Sequence, residues 1–218
     1  MRQIIAFGDS NTWGLNPVLQ ERYPENVRWT GILRNRLGRR GLSLKEEGLC
    51  GRTTVFDDPY REGLNGAKKI PEILRENPKV SGAIIMLGTN DCKKVFGASP
   101  EEIGKGLERC LDLLETRIWP ESILVISPIL LGRDVWKPEK DPEFDRRSVR
   151  TSAELKRIYS GIARRRKHLF LAASDYAEAS PFDDEHLNAE GHSALAEAIF
   201  QTITGFPETD SEERRVAG

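Results

Sequence analysis

Two runs of apolar residues, Ala83-Ile84-Ile85-Met86-Leu87 and Ile123-Leu124-Val125-Ile126, contain no polar alternation. A strand with one wet face alternates, so an unbroken run marks a strand covered on both faces, as in a parallel sheet between helical layers. Three further short segments read as strands: Gln3 to Phe7, Leu42 to Lys45 and Leu169 to Ala172. Helical patterns separate them. Ser99-Pro100-Glu101-Glu102 is a capping box with proline at the first helical position, and Ile103, Leu107, Cys110, Leu111 and Leu114 follow at helical spacing. Leu155, Ile158, Tyr159 and Ile162 form a second stripe; Leu195, Ile199, Phe200 and Ile203 form a third, closed by Gly205. The alternation predicts one α/β domain over residues 1–206, built on a five-stranded parallel sheet with helices on both faces. Residues 207–218 are polar and charged and read as a flexible tail. Leu131 to Arg147, with two prolines, many charges, Trp136 and Phe144, reads as a long loop that is either an active-site wall or an interface.

Charge excludes some partners. Thirty-three basic side chains stand against thirty-four acidic ones, a net charge of −1, so no global field favours a polyanion and nucleic acid is not expected as a partner. Cys50, Cys92 and Cys110 are an odd number without CxxC spacing, which argues against a disulfide framework and a structural zinc site. The apolar stretch Ile4 to Phe7 is too short for a signal-peptide core and no run reaches membrane-spanning length, so the expected setting is the cytoplasm, without a membrane partner.

In an open parallel sheet, ligands bind beyond the carboxyl ends of the strands, so polar residues directly after strands are the first candidates for chemistry. After the first strand comes Gly8-Asp9-Ser10-Asn11-Thr12-Trp13-Gly14, and after the second Gly48-Leu49-Cys50-Gly51-Arg52-Thr53-Thr54. The third leads into Gly88-Thr89-Asn90-Asp91, and the loop after the fifth holds Asp183-Asp184-Glu185-His186. Together they have the ingredients of acyl transfer. A serine needs a base to take its proton, His186 can be that base, and Asp183, three residues earlier, can fix its tautomer. Backbone amides at Ser10 and Gly51 and the Asn90 side-chain amide can face a developing oxyanion. Taken singly, each motif is also an ordinary turn or cap; the four in this order carry the inference. Asp57, Asp58, Asp183 and Asp184 lack the spacing of a calcium loop, so no metal and no cofactor is expected.

The blocks GDSNTWG, LCGRTT, GTND and DDEH resemble, in order, the four blocks of the SGNH (GDSL) hydrolases, and VRWTG and EEGLCGRTT look like its arylesterase and acyltransferase branch. The resemblance implies a flavodoxin-like three-layer fold, a Ser10–Asp183–His186 triad, and Gly51 and Asn90 as oxyanion donors beside the Ser10 amide; the family's DxxH spacing selects Asp183, and the adjacent Asp184 reads as solvated. Cys50 departs from the small polar residue, often serine, expected in that branch. The nucleophile elbow GxSxG is absent, since Thr12 stands where its second glycine would be, which disfavours an ordinary α/β-hydrolase.

The leading expectation is a serine esterase for short-chain acyl or aryl esters, including O-acetylated sugars, with acyl transfer to another alcohol left open. Trp13 and Trp136 are the candidate substrate-binding residues, and the branch resemblance implies a homo-oligomer. A non-catalytic FMN module at the Ser10–Thr12 loop has no use for Asp183 or His186. A phospho-receiver with Asp9 and Asp91 lacks the lysine it needs after the fifth strand.

Overall fold

The computed structural model describes residues 2–204. Five parallel strands, β1 (Arg2–Gly8), β2 (Leu42–Gly48), β3 (Val80–Met86), β4 (Ile123–Ser127) and β5 (Leu169–Ala172), form one sheet in the order β2-β1-β3-β4-β5. This is the flavodoxin-like order. Six helices accompany them: α1 (Ser10–Trp13), α2 (Trp29–Gly38), α3 (Gly66–Glu76), α4 (Pro100–Glu115), α5 (Arg146–Arg166) and α6 (Ala189–Ile203). Gly205, the boundary at 206 and the tail at 207–218 lie outside the described residues.

Alternate residues of each strand feed two separate cores. Ile5, Phe7, Ala83, Ile85, Ile123 and Val125 pack with the apolar faces of α3, α4 and α5. Ile4, Ala6, Ile84, Met86, Leu124 and Ile126 pack with those of α2 and α6. Helices on both faces are why the central strands read as unbroken apolar runs. The Ser99 capping box forms, with Glu102 accepting from the Ser99 backbone N–H and Ser99 Oγ accepting from that of Glu102.

Local chemistry moves some boundaries. β2 runs on through Lys45, Glu46 and Glu47 to Gly48, because as an edge strand it needs no apolar run. Glu46 there is half-buried, its side chain 7% exposed, and it gathers Arg22, Arg28 and Arg34, clamping the Val27–Gly31 segment onto the sheet edge. The α2 and α3 helices were not marked by the apolar stripes; α3 contains Pro71. Phe144 is buried in the α3–α4–α5 core rather than presented to solvent. Asp184, expected to be solvated, accepts from the Asp134 backbone N–H at 3.0 Å and pairs with Lys140 at 2.7 Å, so it ties the 131–145 loop to the segment carrying His186.

Register brings the chemical loops to one level. Gly8 lies opposite both Gly48 and Met86, so the chains after β1, β2 and β3 leave the sheet side by side. The order of strands reverses between β1 and β3, and a crevice opens there.

Candidate active site

Asp9 follows β1 and caps α1, its carboxylate accepting from the Asn11 backbone N–H at 3.0 Å. The one-turn helix presents Ser10 at the crevice floor. Its close approach to β2 requires Gly48, where a Cβ would lie 2.2 Å from the Trp13 nitrogen. Across the crevice, a tight turn after β5 brings His186 against Ser10. His186 Nε2 is 2.8 Å from Ser10 Oγ, and His186 Nδ1 is 2.7 Å from Asp183 Oδ2. The other Asp183 oxygen accepts the backbone N–H groups of Glu185 and His186, both at 3.0 Å, which fixes the carboxylate's orientation. With Asp183 ionised, Nδ1 carries the proton and Nε2 is free to accept from the serine hydroxyl.

Asp183 is held below the ordinary carboxylate range: burial opposes ionisation, and the hydrogen bond and charge of His186 outweigh it. Burial also disfavours imidazolium at His186, but the carboxylates of Glu185, Asp183 and Asp9 overcome it and raise its pKa to about 9. Burial raises Glu185 to about 7 and Asp9 to about 6. The Cys50 thiol is pushed up to about 11, chiefly by burial and then by Asp9, which keeps it protonated at neutral pH and a poor nucleophile.

The loops after β2 and β3 supply donors. Gly51 has φ +86°, a left-handed conformation that glycine adopts without strain. Neither the Ser10 nor the Gly51 amide is engaged in a hydrogen bond among the described residues. Asn90 Nδ2 donates to the Arg52 carbonyl at 3.2 Å, which spends one of its two N–H bonds and leaves the other. Buried Asp91 ties the two loops together, accepting the Thr54 backbone N–H at 3.0 Å and its hydroxyl.

Ser10, Gly51, Asn90, Asp183 and His186 thus line one cleft of about 290 Å³. Trp13 and Trp136 are not among its lining residues. The guanidinium of Arg22 covers the Trp13 ring at 5.5 Å, and that of Arg146 covers Trp136 at 4.8 Å. The 131–145 loop does wall the cleft, but through Lys140, Asp141 and Glu143. Two residues that the sequence did not single out also belong here. Glu185 lines the cleft, and Asn11 braces the backbone around His186. Asn11 and Glu185 each sat inside a recognised block without an assigned role.

Residues 6–194 match the GDSL-like Lipase/Acylhydrolase family. The chain belongs to that family. It is accordingly a carboxylic ester hydrolase on an α/β fold of the SGNH type. Among solved structures, a carbohydrate acetylesterase from Sinorhizobium meliloti is 35% identical, with a TM-score of 0.83 over 94% of this chain and 99% of its own. An aryl esterase from M. smegmatis is 31% identical, with a TM-score of 0.84 over 95% of this chain and 100% of its own. A second carbohydrate acetylesterase family member from Sinorhizobium meliloti is 28% identical, with a TM-score of 0.84 over 93% and 97% of the two chains. No curated protein matches the sequence. Among the described residues no helix is long and apolar enough to cross a membrane.

Proposed function

We propose that this hydrolase acts on esters of short acyl groups through an acyl-enzyme on Ser10, with His186 as general base and acid and Asp183 as its orienting partner. The observation that carries the reading is the continuous Asp183–His186–Ser10 chain at 2.7 and 2.8 Å. Ser10 Oγ attacks the ester carbonyl as its proton passes to His186 Nε2. The oxyanion is met by the Ser10 and Gly51 amides and the free N–H of Asn90. The tetrahedral adduct collapses with expulsion of the alcohol, which takes the proton from Nε2. A water then repeats the sequence on the acyl-serine and releases the acid.

The small cleft and its charged lining support a short acyl group on a polar alcohol over a long lipid chain. The acetylesterase and aryl esterase relatives favour acetyl and aryl esters, including O-acetylated sugars. The same acyl-enzyme transfers its acyl group to an alcohol where one replaces water. Three free cysteines support a reducing, cytoplasmic setting. A homo-oligomer carries over from the family resemblance, and a monomer mass by light scattering would remove it.

The test is a fluorophosphonate probe combined with a panel of aryl esters of increasing acyl length. Labelling and turnover are expected in the wild type and in Cys50→Ser, with turnover falling as the acyl chain lengthens. Both are expected to vanish in Ser10→Ala. Loss of labelling with Cys50 rather than Ser10 overturns the nucleophile, and faster turnover of long chains overturns the acyl class.

A further inference from the structure

The charged side chains lining the cleft each have a hydrogen-bond partner, with one exception. Arg61 and Lys93 both bind Glu143, Lys140 binds Asp184, Asp141 accepts the Glu143 backbone N–H, and Asp183 holds His186. The carboxylate of Glu185 has no hydrogen-bond partner among the described residues. Its side chain is only 6% exposed, and Oε1 lies 3.7 Å from His186 Nε2, beyond hydrogen-bond reach. The carboxyl faces the cleft, so a ligand that fills the cleft shuts it off from solvent donors and must supply a donor of its own.

Position identifies the donor. His186 Nε2 faces Ser10 Oγ and must hand its proton to the oxygen of the departing alcohol, so that oxygen sits close to Nε2. A carboxylate oxygen 3.7 Å from the same nitrogen therefore flanks the leaving oxygen. A hydroxyl on the carbon next to the ester-bearing carbon is placed to reach it. A cationic alcohol fits poorly, because Arg61, Lys93 and Lys140 share the cleft, and an anionic alcohol would be repelled by Glu185 itself.

We infer that Glu185 is a specificity-determining residue, accepting a hydrogen bond from a second hydroxyl beside the scissile ester and so selecting monoesters of neutral polyols. This rests on the Ser10 esterase reading and narrows it to a substrate class. A site built around a hydroxyl donor penalises the analogue that lacks it, since the acceptor is then left buried and unpaired.

The experiment compares glycerol 1-monoacetate with propyl acetate, which has the same carbon chain without the two hydroxyls, using the full chain at one pH. Taking the ratio of the two kcat/KM values cancels differences in active fraction and in His186 protonation, because both substrates use the same base. The wild type is expected to prefer the monoacetate by about tenfold or more. Glu185→Leu is expected to bring the ratio near one. The near-isosteric Glu185→Gln, which keeps a neutral acceptor, is expected to fall between. A wild-type ratio near one, or a ratio unchanged in Glu185→Leu, overturns the inference. So does a wild-type preference for acetylcholine over propyl acetate that disappears in Glu185→Leu, which would make Glu185 an ammonium subsite. Failure of the esterase reading is told apart by Ser10→Ala: hydrolysis of propyl acetate surviving there removes the Ser10 mechanism, whatever the ratio shows.

Discussion

Asn11 holds the main chain on both sides of His186. Its Oδ1 accepts the Leu187 backbone N–H at 2.9 Å and its Nδ2 donates to the Glu185 carbonyl at 3.2 Å, across 176 and 174 residues of sequence. Its own carbonyl accepts from Trp29 Nε1 at 2.9 Å, and the Trp29 backbone N–H in turn reaches His192 Nδ1 at 3.3 Å. The residue after Ser10 thereby sets where His186 sits, and the buried tryptophan of the Val27–Gly31 segment sets the residue after Ser10.

Asn11→Ala is therefore expected to lower kcat by about a hundredfold, the loss that follows a misplacement of about 1 Å. Asn11 does not line the cleft, so KM for an aryl acetate should change little. Asn11→Asp keeps the Leu187 bond and loses the Glu185 one, and should fall between. Steady-state kinetics with a thermal melt check this: a lower Tm with unchanged kcat would leave Asn11 a purely structural tie.

The strands were legible because burial on both faces leaves an unbroken apolar signature, as at Ile84-Ile85-Met86. The signature fails at the sheet edge, where the polar half of β2 is held by Glu46 and its three arginines, partners far apart in sequence. That Ser10, Gly51, Asn90, Asp183 and His186 meet in one cleft was legible because each follows a strand in a recognisable block. Trp13 and Trp136 were chosen for size, but whether a ring faces a cleft depends on what covers it, here Arg22 and Arg146. The burial of Glu185 was equally invisible, because Asp183, Asp184 and Glu185 look alike in sequence while only two of them face His186.

That difference moves the pH dependence. A histidine beside one aspartate would titrate somewhat above its ordinary value of 6.5, but Glu185 and Asp183 from its own loop and Asp9 from the end of β1 raise His186 to about 9. The base must be neutral to accept the serine proton, so kcat/KM should fall as pH drops through that raised value, with the acidic limb clearly alkaline of 6.5. Glu185→Gln removes one of the charges and should move the limb down by roughly one unit or more. A pH–rate profile on an aryl acetate measures it, and an unmoved limb would mean that Glu185 exerts no charge on the imidazole.

Stability should move the opposite way over the same range. His186 has a folded-state pKa above its unfolded value of 6.5, so it binds its proton more tightly when folded. Its contribution is fully present below 6.5 and is lost as pH rises through about 9. The Cys50 thiol, raised to about 11, adds to the loss only above that window. Between pH 7 and 9, Tm is expected to fall by a few degrees while activity rises. In His186→Gln the fall should largely flatten; a melt as steep as the wild type's would place the loss elsewhere.

The Asn90 side-chain nitrogen serves both the loop structure and the proposed oxyanion site. One Nδ2 hydrogen is committed to the Arg52 carbonyl at 3.2 Å, next to Gly51, and this bond helps hold the two donor loops at one spacing. In the proposed mechanism the other hydrogen serves an oxyanion that exists only after Ser10 has attacked. Asn90→Ala should therefore have two separable effects. Losing a donor used in the transition state should lower kcat by roughly 10²–10³-fold with little change in KM. Losing the Arg52 bond should cost about 1 kcal/mol of stability, or roughly 2–4 °C in Tm. Kinetics and melting on one preparation separate them. A lowered Tm with normal kcat would confine Asn90 to the loop tie, and a kcat loss without a Tm change would mean that the Arg52 bond contributes nothing to the fold. If both appear, Asp91→Asn, which weakens the Thr54 tie between the same loops without touching Asn90, should lower Tm with a much smaller loss of kcat.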